Sequence, residues 1–407
     1  MPKPVRTTAC VAALLALTLA PATAASAVEV TPTGGVVHVD ALRWVDGAPQ
    51  LETRTATSTA AATRLLRTLQ ADPQVTSAQT RTRYQLTPTQ SRPLTGRGLL
   101  TTDPFLRQAY QLTSVDAYGA WTTTRGAGVT VAVLDSGVDA TQPELAGRVV
   151  QGGNFTTEDA YVVGEHGTEV STVLAAAYGN GVGAAGVAPE ATILAIKVCE
   201  TDGCGSDAIV AGIRAAVDQG ADVINMSLGG STYNKTLAAT VDWAIAQGVV
   251  VVAAAGNTGD KGNPVEYPAG FDGVISVSAS TTTGTAAAWA QHNDAVDLSA
   301  PGEKVVAGAP ASQDHAVVGV YGTSFSAPQV AGAAALVRAV APAADVATVG
   351  TWLKGTATPQ SWGSGYGTGM LDVAAAVDVA AKSTNSSPVP APAPVVVERG
   401  KRTVRAK

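Results

Sequence analysis

From Val129 to Ala381, short runs rich in valine and isoleucine alternate with stretches of helical periodicity, and this alternation restricts the fold more than any other feature. The runs Val129–Leu134, Ala191–Val198, Asp222–Leu228, Val249–Ala255 and Gly273–Val277 show little polar alternation, as strands covered on both faces do. Helical patterns stand among them at Asp207–Gln219, Lys235–Gln247 and Ala327–Val340, the first two followed by Gly220 and Gly248, where a left-handed cap is wanted. The expected fold class is α/β, a doubly wound, mostly parallel sheet with helices on both faces. With 407 residues, 46% hydrophobic and 14% charged, the chain can bury such a core, and disorder is excluded.

The flanks read differently. Residues 1–27 place Lys3 and Arg6 ahead of an apolar run and end on Ala25-Ser26-Ala27, the pattern of a secretory signal peptide too short to span a bilayer. Residues 28–86 are expected to form a small α+β domain, with a strand at Val36–Val39, a helix at Thr59–Gln70 and one strand region from Val75 to Leu86. A Pro/Thr/Gly-rich linker covers 87–104, the α/β domain 105–381, and a Pro-rich basic tail 382–407. The overall charge of −6 hides a division: residues 105–397 hold 11 basic and 25 acidic residues, a net −14 that excludes a nucleic-acid partner. No later segment is apolar enough for a transmembrane anchor, so a secreted, extracellular monomer is expected. Export leaves Cys199 and Cys204 in an oxidising compartment, where a short-loop disulfide is expected.

Three motifs carry chemistry. Val131-Ala132-Val133-Leu134-Asp135 delivers a carboxylate at the end of a buried strand, the edge where open α/β sheets gather functional groups. Gly164-Glu165-His166-Gly167-Thr168 sets one of only four histidines at the start of a helical run. Gly322-Thr323-Ser324-Phe325-Ser326-Ala327-Pro328 precedes a second apolar helix, with Pro328 expected in its first turn. Ser324 would then sit exposed at a helix N-terminus with its backbone N–H free, as a nucleophile that also donates to an oxyanion requires. Each motif alone has a plain structural reading, a strand-end acid, a core histidine or a serine N-cap.

Together, in the order Asp, His, Ser, they resemble the subtilisin-like serine proteases of the subtilase family, here a secreted precursor with an inhibitory propeptide at 28–86. The resemblance implies that Asp135 orients His166, that His166 takes the proton of Ser324, and that Ser324 attacks a peptide carbonyl to form an acyl-enzyme. Ala253-Ala254-Ala255-Gly256-Asn257 resembles the family's oxyanion segment, with Asn257 as donor and Ala255 and Gly256 along the substrate. Ser227, Leu228 and Gly229 resemble the strand that pairs with the substrate backbone. Polypeptide substrates and the chain's own propeptide are the implied partners, and catalysis needs no cofactor. Structural calcium is implied near Glu144 and the loop Tyr178–Gly183.

Departures from the family pattern carry information. Glu169, Ser171 and Thr172 replace usual small or histidine neighbours of the catalytic ring, and Phe325 and Gln329 those of the serine. Glu266 falls where a small residue commonly floors the primary pocket, so a preference for Lys or Arg before the scissile bond is expected. Arg97-Gly98 is then a plausible self-processing bond. Gly181-Val182-Gly183-Ala184-Ala185-Gly186 matches a dinucleotide pattern but stands between a helical run and a strand, the reverse of the required order. An esterase of the α/β-hydrolase kind lacks its Gly-x-Ser-x-Gly elbow, and the alternative from another class is a catalytically weak subtilase-like domain acting as a binding module.

Overall fold

A computed structural model of the chain describes residues 36–86, 91–94, 103–158 and 163–385. The expected signal, Arg97-Gly98 and nearly all of the basic tail lie outside the described residues.

The N-terminal unit is a three-stranded antiparallel sheet, β1 (Val37–Val45) flanked by β2 (Ala48–Ala56) and β3 (Val75–Thr80), with helix α1 (Thr59–Gln70) against it. Ser58 caps α1 by accepting the Ala61 N–H at 3.2 Å, and Ala62 and Leu69 seal its apolar face onto Val39 and Ala41. The single strand region read from Val75 to Leu86 is broken at Arg81-Thr82. Its first half pairs with β1, and its second half, β4 (Arg83–Leu86), leaves the unit altogether. The linker likewise contains a short strand, β5 (Arg92–Pro93).

Beyond α2 (Tyr110–Ser114) and α3 (Ala117–Ala120), strands β6 (Thr130–Asp135), β7 (Val149–Asn154), β8 (Thr192–Lys197), β11 (Val223–Met226), β13 (Val250–Ala254), β14 (Ile275–Ser280) and β15 (Leu298–Pro301) form one sheet. Its order is β15-β14-β13-β11-β6-β8-β7, and every pairing in it is parallel. Successive side chains point to opposite faces, and both faces are apolar. Val131 and Val133 join the core on one side, Ala132 and Leu134 the core on the other, and Val250–Ala253 divide the same way. This is why the sequence runs show no polar alternation. On the first side lie α4 (Glu165–Ala175), α7 (Thr323–Val340) and α9 (Val373–Asn385), while α5 (Ser206–Asp218) and α6 (Lys235–Ala246) cover the second. Helix α8 (Val346–Gly355) packs beside α7 and α9.

The remaining strands are short and peripheral: the hairpin β9 (Cys199–Glu200) and β10 (Gly203–Gly205), then β12 (Leu228–Gly229), β16 (Val305–Gly308) and β17 (Val317–Val320). Helix α7 starts at Thr323, earlier than the periodicity suggested, so Pro328 stands in its second turn rather than its first. The unmatched backbone group this creates is the carbonyl of Ser324, four residues back. That carbonyl instead accepts the Ser227 hydroxyl at 2.8 Å.

Candidate active site

Parallel strands end on one side of the sheet, and the neighbours β6, β11 and β13 bring Asp135, Ser227 and Asn257 to that edge. The helices α4 and α7 begin there too, each with its functional residue in second place, His166 and Ser324. Asp135 has no exposed surface. Its carboxylate accepts His166 Nδ1–H at 2.9 and 3.0 Å and the Ser136 N–H at 2.7 Å. Burial alone depresses the imidazole, but the Asp135 carboxylate, with Glu169 and Glu165 beyond it, outweighs that and holds His166 above its ordinary 6.5.

Ser324 is fully buried, not exposed as the sequence suggested. Its hydroxyl donates to Ser227 O at 3.2 Å, while the buried His166 Nε2 has no hydrogen-bond partner among the described residues. The Asp–His link is therefore made and the Ser–His link is not; in this class of site that last contact often tightens only on substrate. Asn257 is held by its carbonyl, Oδ1 accepting the Thr323 N–H at 2.9 Å and the Thr323 hydroxyl at 2.8 Å. Among the described residues its Nδ2 donates no hydrogen bond. Thr323, which the motif reading passed over, is thus the residue that aims Asn257, and its hydroxyl also accepts the Gly256 N–H at 3.2 Å.

Part of the chain's own N-terminal region pairs with this edge. Strand β4 inserts between β12 and β10, Leu86 opposite Leu228, Gln85 opposite Gly229, Tyr84 opposite Cys204 and Arg83 opposite Gly205. Tyr84 is fully buried, and its hydroxyl donates to Thr232 O at 3.2 Å. Further along, β5 pairs with β17, Arg92 opposite Gly319 and Pro93 opposite Val318, and the Leu94 N–H reaches Val317 O at 2.8 Å. Five residue steps separate Leu86 from Ser91, at most roughly 17 Å of chain.

Glu266 stands beside Gly229 and Gly256. A Cβ on Gly229 would come within 2.9 Å of its Oε2, and one on Gly256, at φ +114°, within 2.7 Å. The two glycines and this carboxyl share one space. Oε1 accepts the Thr258 hydroxyl at 3.2 Å and the Gln291 amide at 2.8 Å, and burial raises the acid's pKa. Among the described residues no hydrogen bond reaches Oε2. Glu169, one turn beyond His166, has no exposed surface, and neither of its oxygens has a hydrogen bond of full geometry, although the Ser91 side chain favours its ionised form. Burial lifts it to about 8. Cys199 and Cys204 are joined by a disulfide across the β9–β10 pairing, with Cα atoms 4.0 Å apart.

Near the expected cation loop, Asp103 accepts the Gly179 and Gly181 N–H groups at 2.7 and 2.9 Å, and Glu144 accepts the Ala184 N–H at 3.2 Å. Asp103 was not foreseen, because it lies in the linker, far in sequence from the loop. Glu144 fills a cradle that a Cβ on Gly183 would occupy, and burial raises it to about 7. Among the described residues no group of three or more His, Cys, Asp or Glu converges as a metal centre, and no helix is long and apolar enough to cross a membrane.

Comparison with known proteins agrees with this geometry. The model of the subtilase family matches residues 126–369, more than half of the chain. Subtilisin DY of Bacillus licheniformis is 39% identical over 257 residues, covering 62% of this chain and 92% of that protein. Thermitase of Thermoactinomyces vulgaris is 37% identical over 238 residues, covering 58% and 84%. A solved protease of Pseudoalteromonas arctica PAMC 21717 superposes with a TM-score of 0.63 at 28% identity, spanning 69% of this chain and all of the other. The chain belongs to the subtilase family and is a serine endopeptidase.

Proposed function

We propose that the chain is a secreted precursor endopeptidase in which Asp135, His166 and Ser324 cut polypeptides and residues 28–86 act as its intramolecular inhibitor. The observation that carries the reading is the buried Asp135–His166 bond at the sheet edge, with Ser324 opening the facing helix. His166 Nε2 takes the Ser324 proton as Oγ attacks the scissile carbonyl carbon. The negative oxygen is received by the Asn257 amide and the Ser324 N–H at the positive end of α7. His166 returns the proton to the leaving amine, the acyl-enzyme remains, and water attacks it with His166 again as base. The inhibitor reading rests on β4, which makes the backbone pairing with Leu228 and Gly229 that a substrate would make.

Glu266 selects Lys or Arg before the scissile bond, since its Oε2 faces the space between Gly229 and Gly256. The tethered segment Thr87-Pro88-Thr89-Gln90 has no basic residue, so an intramolecular cut there depends on proximity rather than pocket fit. Mature enzyme is expected to cut matched Arg-ending peptides on the order of tenfold faster than Phe-ending ones, about 1.4 kcal/mol. Ser324→Ala removes both activities and labelling by a serine-directed phosphonate. Equal rates on Phe overturn the preference, whereas a wild-type enzyme that takes no label overturns the triad.

Because His166 must be neutral to accept the proton, activity is lost as pH falls through its pKa. That pKa is raised, so the acid limb of kcat/KM is expected above 6.5. A pH profile with its limb below about 6 contradicts a base paired to Asp135.

The donors present fit a structural calcium ion, with two carboxylates, Asp103 and Glu144, at a loop that also offers Asn180 and backbone carbonyls. Such an ion would neutralise the buried Glu144. Chelator is expected to lower the melting temperature, with calcium restoring it; a melt indifferent to both contradicts the site.

A further inference from the structure

The hairpin β9–β10 does more than border the cleft. Its turn carries Glu200 and Asp202, and the disulfide Cys199–Cys204 closes it at the base. Both acids meet Arg83 of the inserted strand: the guanidinium bonds to Asp202, and Glu200 Oε2 is 3.9 Å away. Glu200 is fixed in place by the Thr157 N–H at 2.6 Å and hydroxyl at 2.5 Å, and it stays ionised below its ordinary pKa through those bonds with help from Arg83 and Lys197. The hairpin is also shaped to take a strand alongside. Gly203 has φ +123°, and a Cβ there would come within 2.6 Å of Tyr84 O, so only glycine lets the inserted backbone lie against β10. Two residues earlier, Arg81 reaches Asp207 at the start of α5, at 2.7 Å. Arg83 on the inserted strand and Arg81 at the break before it thus both reach acids of the protease domain, Arg81 also lying 3.7 Å from Asp40.

We infer that Glu200 and Asp202 form a remote specificity subsite for a Lys or Arg of the substrate, at the position Arg83 holds, three residues before the one opposite Leu228. The inference rests on reading β4 as a stand-in for substrate. Removal of the N-terminal unit frees both carboxylates at a turn whose position the disulfide has already fixed, so a substrate's cation meets a prepared site and little ordering is required. The site is chemically distinct from Glu266, which faces the side chain next to the scissile bond. Asp202 is 68% exposed and Arg83 44%, so the interaction is screened and its effect is modest.

Peptides containing Tyr-Gln-Leu as in residues 84–86, made with Arg or Ala at the position of Arg83 and each with Arg or Phe before the scissile bond, test it on the mature enzyme. The Arg83-type peptide is expected to show a kcat/KM about three- to fivefold higher, whichever residue precedes the scissile bond. The ratio should fall toward one in Asp202→Asn enzyme, in the Glu200→Gln Asp202→Asn double variant, and in wild type at about 1 M salt. A ratio near one in wild type, or one that survives the substitutions, overturns the subsite and leaves the protease reading intact. Failure to cut any of the four peptides overturns both.

Discussion

A carboxylate with no solvent contact has to be paired, and the pairing of Asp135 organises this molecule. Its partners are the imidazole of His166 and the Ser136 N–H, so the strand end, the turn after it and the first turn of α4 are fixed together. Nearby, Lys197 at the end of β8 is buried with its ammonium on the carbonyls of Ser136 and Cys199, at 2.8 and 2.9 Å. One charged group thereby links the turn that follows Asp135 to the disulfide-closed hairpin. The strand end that carries Asp135 and the disulfide-closed hairpin are parts of one bonded network.

The same economy appears around the serine. A proline in the second turn of α7 removes a backbone donor, the freed Ser324 carbonyl takes the Ser227 hydroxyl, and the Asn225 amide donates to that hydroxyl at 3.0 Å. Ser227 opens onto the strand that pairs with β4, so the position of Ser324 and the register of β4 are set through one residue. Two described segments that precede the protease domain pair with it, β4 with β12 and β5 with β17. The N-terminal unit is therefore joined to the protease domain by strand pairing across the cleft as well as by its own packed face.

The central strands were legible because burial on both faces leaves an unbroken apolar run, as in Val249–Ala255. The motif residues were legible because each closes a strand or opens a helix. What escaped notice depends on partners distant in sequence. Strand β2, with Glu52, Thr53 and Arg54, reads as polar, and β7 contains Gly152-Gly153 at the sheet edge. β5 cannot be recognised alone, and β4, though inside the strand region expected over Val75–Leu86, cannot be told from β3, since β4 and β5 each pair with segments more than a hundred residues away. The burial of Ser324 escaped for the same reason. Arg97-Gly98 lies outside the described residues, while Leu86 pairs with Leu228 beside Ser227 and Arg92 with Gly319.

If residues 28–86 inhibit the enzyme by lying along it as a substrate does, the bond cut in maturation falls between Leu86 and Ser91. Mass spectrometry of the N-terminal fragment released during maturation of the full chain addresses this directly. The expected fragment ends between Leu86 and Gln90, and none forms from Ser324→Ala protein. A fragment ending at Arg97 with no earlier cut, or the same cleavage in Ser324→Ala protein, would contradict it.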